Sequence, residues 1–71
     1  MIIDGIKAHA SVTEDRINAA VEATRGSLEN PGICICCGAD ANGVEPDARN
    51  YECESCGESG VFGAEELLLS I

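Results

Sequence analysis

The sequence predicts one small α+β domain, and three observations carry that prediction. The chain has only 71 residues, which is too few to bury a large apolar core. Short β-forming segments alternate with turn residues through residues 33–63. Helical periodicity occupies residues 11–29 before them and residues 64–69 after them. We therefore expect an amphipathic helix, then short antiparallel strands, then a short C-terminal helix.

Residues 1–30 are expected to form an N-terminal arm and the amphipathic helix. Met1-Ile2-Ile3 fits either a short edge strand or a frayed end. The helix should begin at a capping box in which Ser11 is the cap and Glu14 reaches back, with Thr13 as the alternative cap. Three- and four-residue steps place five side chains on one stripe: Ile17, Ala20, Val21, Thr24 and Leu28. We expect this stripe to cover the apolar face of the remaining chain; the alternative is that it docks a partner or a second copy of the chain. We expect Gly26 to end or weaken the last turn.

Residues 31–71 are expected to form the β-rich part and the C-terminal helix. Asn42-Gly43 and Pro46-Asp47-Ala48 predict turns, and residues 60–63 predict a strand. In the helix that follows, three consecutive leucines cannot all face one core. We therefore treat the end of the chain as a candidate interaction surface. It comprises Glu65, Glu66, Leu67, Leu68 and Leu69.

Four of the five cysteines have the spacing of a metal site. Cys34 and Cys37 form one C-x-x-C pair, Cys53 and Cys56 form a second, and fifteen residues separate the pairs. That spacing is typical of zinc bound by four cysteines. The sequence therefore predicts a zinc ribbon, in which two cysteine-bearing knuckles hold one structural Zn²⁺. Iron in the same four-sulfur geometry is the competing metal.

Two other residues with side chains that can bind metal, Cys36 and His9, need an interpretation. Cys36 lies inside the first pair, and Gly38 follows Cys37 just as Gly57 follows Cys56. This matching frame favours Cys37 as the ligand and leaves Cys36 as a bystander or a redox-sensitive thiol. His9, the single histidine, lies far from the cysteines and is expected to be solvent-exposed.

The charge of the chain is strongly acidic and unevenly distributed. The net charge is −9, and residues 31–71 carry eight acidic residues against Arg49 alone. Such a field repels phosphate backbones, so we do not expect nucleic acid as a partner. A basic protein surface suits the charge better. We expect Arg49 to pair with Asp47, with Glu45 or with the charge of the knuckles.

The cysteines and the apolar pattern also predict a compartment. Five is an odd number of cysteines, and residues 1–10 lack the long apolar run of a secretory signal. Paired C-x-x-C motifs in a reducing cytosol indicate metal binding. No apolar run is long enough to span a membrane. We therefore expect a cytoplasmic protein with no membrane segment.

Several longer strings of the sequence are informative beyond the cysteine spacing. The most specific are Glu45-Pro46-Asp47-Ala48-Arg49 and Gly63-Ala64-Glu65-Glu66-Leu67. The others are Leu28-Glu29-Asn30-Pro31-Gly32, Cys34-x-x-Cys37-Gly38, Asn50-Tyr51-x-Cys53-x-x-Cys56-Gly57 and Val61-Phe62. Over about residues 13–69, these strings resemble a group of small, uncharacterised zinc-ribbon proteins from proteobacteria and their phages. The resemblance implies zinc on Cys34, Cys37, Cys53 and Cys56, and it implies no activity.

These observations predict a non-enzymatic protein-interaction module with a structural zinc site and an acidic surface. No nucleophile with a neighbouring base, phosphate-binding glycine loop or paired histidine occurs in the sequence. The first alternative is an inhibitor or nucleic-acid mimic of phage type that binds a basic host protein. The second alternative is a zinc ribbon that binds nucleic acid. The sequence does not fix the oligomeric state, and a homodimer is compatible with it.

Overall fold

Two helices and two antiparallel sheets make up residues 1–26 and 30–71, the part of the chain that the computed structural model describes. The first sheet is a hairpin of β1 (Ile2–Ile3) and β2 (Ile6–Lys7). The first helix, α1 (Glu14–Gly26), follows. The second sheet has the strand order β4-β3-β5. Its strands are β3 (Gly32–Cys34), β4 (Asp40–Ala41) and β5 (Val61–Gly63), and α2 (Ala64–Ser70) comes last.

The N-terminal segment is a tight hairpin rather than a frayed end. Ile3 pairs with Ile6 across a two-residue turn made by Asp4 and Gly5. Both turn residues have positive φ, 52° and 78°, as a type I′ turn requires. Asp-Gly is one of the strongest sequence signals for such a turn. Ile3 is fully buried, so the hairpin contributes to the core.

Helix α1 begins at Glu14, two residues later than a cap at Ser11 requires. The backbone N–H of Arg16 donates to Thr13 Oγ1 over 3.2 Å, which makes the alternative residue Thr13 the cap. Ser11 lies outside the helix, where its hydroxyl contacts His9 and the Arg16 side chain. Gly26 is the last helical residue described. The predicted final turn, with Leu28, lies outside the described residues.

The apolar stripe of α1 faces its own chain. Ile17 and Val21 are buried, and Ala20 and Thr24 are half-buried. The helix packs against α2, and Ile17 belongs to the main core. That core also contains residues from the hairpin, the second sheet, α2 and the segments that follow β2 and β3: Ile3, Ala8, Val12, Ile33, Ile35, Phe62 and Leu67. One core thus draws on both predicted parts of the chain, residues 1–30 and 31–71.

The two faces of the second sheet carry different side chains. Strand β3 pairs with β5 so that Ile33 lies opposite Phe62, and Cys34 lies opposite Val61. Successive side chains of a strand point to opposite faces. Ile33 and Phe62 therefore enter the main core, while Cys34 and Val61 face a second cluster. This second cluster also contains Val44, Ala48 and Cys53.

The loop before β5 is fixed against the start of α2. A predicted turn is present at Pro46, where the N–H of Ala48 donates to the Glu45 carbonyl over 2.9 Å. The N–H of Gly63 donates to the Ala48 carbonyl over 3.0 Å, and that of Glu66 to the Pro46 carbonyl over 3.0 Å. These bonds satisfy donors at the beginning of α2, where no side chain caps the helix.

The three leucines of α2 have different environments. Leu67 is fully buried in the main core, Leu68 is half-buried, and Leu69 is 82% exposed. Leu67 is therefore removed from the predicted interaction surface, because it supports the core instead. Glu65 and Glu66 are half-buried.

Arg49 pairs with partners other than those the sequence suggested. Its guanidinium lies 2.6 Å from Asp4 Oδ1 and 3.8 Å from Glu66 Oε2, and 6.0 Å from the centre of the Phe62 ring. Asp4 is distant in sequence, and the hairpin turn brings it to Arg49. The interaction thus links the hairpin to α2.

Neither helix in the described ranges is long and apolar enough to cross a bilayer.

Candidate metal centre

The two cysteine pairs form turns with the same hydrogen-bond pattern. In the first, the Gly38 N–H donates to the Cys34 carbonyl over 2.8 Å, and the Cys34 N–H donates to the Ala39 carbonyl over 2.9 Å. In the second, Gly57 donates to Cys53 over 2.8 Å and Cys53 donates to Glu58 over 2.8 Å. We call these turns the first knuckle (34–39) and the second knuckle (53–58).

A left-handed glycine completes each knuckle at the same position. Gly38 has φ +80° and Gly57 has φ +79°, a conformation that costs other residues free energy. In the sequence, the glycine that follows each C-x-x-C pair is the signal for this conformation. The two knuckles are therefore locally equivalent units, although they differ in most of their side chains.

Strand β5 brings the two knuckles together. Cys34 ends β3 and pairs with Val61. On its other side, Val61 exchanges two backbone hydrogen bonds with Tyr51, each 3.0 Å long, two residues before Cys53. Because Val61 is held by both segments, Cys34 and Cys53 converge on one face of the sheet. The thiols of both are buried in the second cluster.

The four sulfur atoms of the pairs form a compact group. Cys34 Sγ lies 3.8 Å from Cys56 Sγ, and Cys37 Sγ lies 3.7 Å from Cys53 Sγ. All four lie within 4.8 Å of one another. Four sulfurs placed about 2.3 Å from one ion in a tetrahedron would be about 3.8 Å apart. The spacing therefore fits a tetrahedral metal site, and it is far longer than the ~2.05 Å of a disulfide bond.

No known protein family, curated protein or solved structure matches this chain. The interpretation of the site consequently depends on its own geometry. The resemblance to small zinc-ribbon proteins stays a prediction from the sequence strings.

Backbone N–H groups point at the sulfur atoms and change their pKa values. The N–H groups of Cys56 and Ser55 donate to the Cys53 thiol, and together with the thiols of Cys37 and Cys34 they lower its pKa to about 7. The Glu58 N–H likewise lowers the pKa of Cys56, but desolvation and the neighbouring thiols outweigh it and raise that pKa to about 12.

The Cys37 thiol responds in the same way as its counterpart in the second knuckle. The Ala39 N–H lowers the pKa of Cys37. Desolvation and the thiols of Cys53 and Cys34 have the larger, opposite effect, so the net shift of this pKa is upward. A thiol that donates its S–H to a neighbouring sulfur thus resists losing its own proton. A divalent cation among the sulfurs would displace these protons and stabilise the thiolates.

Exposure differs among the four cysteines. Cys34 and Cys53 are buried, Cys37 is half-buried and Cys56 is exposed. The group therefore lies at the edge of the second cluster with one side near solvent.

Cys36 lies beside the sulfur group but outside it. Among the described residues, the metal-binding group contains the other four cysteines and not Cys36. Cys36 is exposed, and a Cβ built on Gly60 would lie 2.6 Å from its Sγ. The predicted redox role of this thiol stays a prediction. His9 is exposed, as predicted, and its Nδ1 lies 2.9 Å from Ser11 Oγ.

Arg16 connects α1 to the first knuckle, a role that the sequence analysis missed. Its Nη2 donates to the Gly38 carbonyl over 2.6 Å and lies 2.7 Å from Asp40 Oδ1. Its Nη1 donates to the Ser11 hydroxyl over 3.2 Å. One sequence feature could have predicted this contact. Arg16 lies near the start of a helix whose apolar stripe has to pack on the cysteine-bearing sheet, so its side chain comes close to that sheet. Arg16 positions the knuckle and does not reach the sulfur atoms.

Proposed function

We propose that Cys34, Cys37, Cys53 and Cys56 bind one Zn²⁺ as thiolates, and that this ion has a structural role. The observation that carries the proposal is the convergence of all four sulfur atoms within 4.8 Å. Four thiolates suit zinc and fill its tetrahedral coordination. The two equivalent knuckles and the three-stranded sheet between them support a zinc-ribbon architecture.

The role that we propose for the protein is that of a non-enzymatic interaction module rather than a zinc enzyme. Catalytic zinc normally keeps one position open for water or substrate, whereas four cysteine ligands leave none. The net charge of −9 favours a partner with a basic surface. Zinc would supply the rigid frame that holds this acidic surface in one shape.

Substitution of single cysteines tests the metal site. We expect Cys37→Ser to reduce the zinc affinity by about 100-fold or more, because removing a ligand should exceed the roughly 10–100-fold effect of changing a residue that only hydrogen-bonds to a ligand. Cys36→Ser is the matched control, since it alters the neighbouring thiol and should keep one zinc ion per chain. Elemental analysis of protein purified without added metal gives the stoichiometry, and competition with a chromophoric chelator gives the affinity.

Elemental analysis also decides between the two candidate metals. One equivalent of zinc supports the proposal, whereas one equivalent of iron with sulfur-to-iron charge-transfer absorption would replace zinc by iron. Co²⁺ can occupy a zinc site and give it visible absorption, which added Zn²⁺ should then abolish. The proposal of a metal site fails if neither metal copurifies and if added Zn²⁺ leaves the absorption spectrum of the Co²⁺-treated protein unchanged. Equal zinc loss in the two serine variants would refute the ligand assignment.

A further inference from the structure

A groove of about 350 Å³ lies over the second cluster, on the face of the sheet opposite the main core. Val44, 9% exposed, and Val61, 2% exposed, form its apolar floor. One wall is residues 39–42, and the other is residues 51–55. The volume is at the lower limit of cavities that hold small ligands, about 300–1,000 Å³. It is sufficient for one or two side chains of a peptide.

The wall formed by residues 51–55 has two carboxylates without a cationic partner. Glu52 and Glu54 both line the groove and are exposed. Neither takes part in a salt bridge with the residues that the structure describes. On the opposite wall, Asp40 is already paired with Arg16 at 2.7 Å. The uncompensated negative charge of the groove is therefore on one side.

Tyr51 gives this wall a fixed aromatic surface. Its side chain is 43% exposed, and its hydroxyl donates to Glu45 Oε2 over 2.5 Å. Backbone bonds to Val61 hold the residue on the other side. A cation near a tyrosine ring is attracted by the negative face of the ring. Apolar surface, aromatic ring and unpaired carboxylates thus meet in one groove.

We propose that this groove binds an arginine or lysine side chain from an extended basic segment of a partner protein. The inference rests on the proposed function and specifies its docking site. The methylene groups of the cation would lie on Val44 and Val61. Its charged end would reach Glu52 and Glu54, to which a guanidinium can donate several hydrogen bonds.

Charge selects the class of partner. Nucleic acid is repelled by the same carboxylates. A second copy of this chain also carries a net charge of −9, which opposes self-association through this face. Four thiolates around one divalent cation would add two negative charges next to Cys53, which lines the groove. A basic peptide segment is the occupant that these charges favour.

Titration of the full, zinc-loaded chain with a blocked hexapeptide of alternating arginine and alanine tests the proposal. We expect amide chemical shifts to change mainly at residues 39–42 and 51–55, and binding to weaken as salt is raised. The double variant Glu52→Gln/Glu54→Gln should raise the dissociation constant by about fivefold to tenfold. The matched control, Glu14→Gln/Glu22→Gln, removes the same charge from exposed positions on α1 and should change it by less than about twofold.

Two results would overturn the inference. Equal weakening in both double variants would mean that the peptide responds only to net charge. Amide chemical-shift changes that are as large on α1 as in the groove would also mean that the peptide responds only to net charge. A hexapeptide of alternating glutamate and alanine must not bind. Metal analysis of the same sample separates the two proposals: a folded, zinc-loaded chain without shift changes in the groove refutes the docking site alone, whereas a folded chain that binds no metal refutes the proposed function.

Discussion

At the scale of single residues, the contact between Tyr51 and Glu45 connects the segment that leads into the second knuckle to the turn at Pro46. The tyrosine hydroxyl donates to the glutamate carboxylate over 2.5 Å. This bond lowers the pKa of Glu45 below its ordinary value of 4.5 and raises that of Tyr51 above 10.0. Both shifts follow from one bond, which needs a charged acceptor and a protonated donor.

The two shifts predict where this contact loses its effect on stability. The folded-state pKa of Glu45 is lowered, so its contribution is present above about pH 4.5 and is lost as the pH falls through the folded value. The pKa of Tyr51 is raised, so its contribution is present below pH 10.0 and is lost as the pH rises through the folded value.

Tyr51→Phe removes the donor and keeps the ring. We expect the titration midpoint of the Glu45 carboxylate to rise toward 4.5, because its largest cause of depression is gone. Carbon-detected NMR of the side-chain carboxyl, recorded between pH 2 and 7, measures the change. An unaltered midpoint in the variant would show that the tyrosine hydroxyl does not hold the carboxylate.

At the scale of elements, the junction of β5 and α2 depends on a close approach of two backbones. Gly63 joins the strand to the helix, and its N–H donates to Ala48. A Cβ at this position would meet the carbonyl groups of Glu45 and Pro46. Backbone atoms cannot rotate away as a flexible side chain can, so the contact leaves no room for a larger residue.

Gly63→Ala should therefore destabilise the protein by about 1–3 kcal/mol. Gly26→Ala is the control, because a Cβ there has nothing within 4 Å and alanine is the better helix former by up to about 1 kcal/mol. Urea unfolding of the two zinc-loaded variants gives both values. The packing argument is wrong if the two substitutions have the same effect.

Sequence patterns predicted elements better than the contacts between them. The stripe of α1 and the turn at Pro46 follow from local periodicity and backbone chemistry, and the structure contains both. The hairpin at Asp4 and Gly5 carried a local signal that was not used. The partners of Arg16 and Arg49 could not be predicted, because Asp40 and Asp4 become neighbours only after the elements pack.

At the scale of the whole molecule, the proposed metal site and the core should depend on each other for stability. A chain of 71 residues obtains only about 3–5 kcal/mol from its core, whereas structural zinc contributes about 10 kcal/mol or more to folding. The four candidate ligands could be identified from spacing alone, because a C-x-x-C turn forms locally. The arrangement of the two turns around Val61 required the tertiary structure.

Removal of zinc should therefore unfold the protein. We expect a strong zinc chelator to abolish the far-ultraviolet circular dichroism of α1 and α2 at 25 °C, and one equivalent of added Zn²⁺ to restore it. The same chelator saturated with Zn²⁺ is the control for nonspecific effects. A chain that loses its metal but keeps its spectrum and its melting temperature would contradict a structural role for the ion.

The pairing of β3 with β5 gives the proposed ion an influence on residues that it never touches. Shifting β5 by one position would exchange the faces of Val61 and Phe62, since side chains alternate along a strand. Phe62 would then crowd the sulfur atoms, and the hydrophobic interior would lose its single phenylalanine. Coordination would fix the orientation of Cys34, so metal binding would favour the native register of β3 and β5. It would reject misaligned strand pairings during folding and leave one alignment of the sheet.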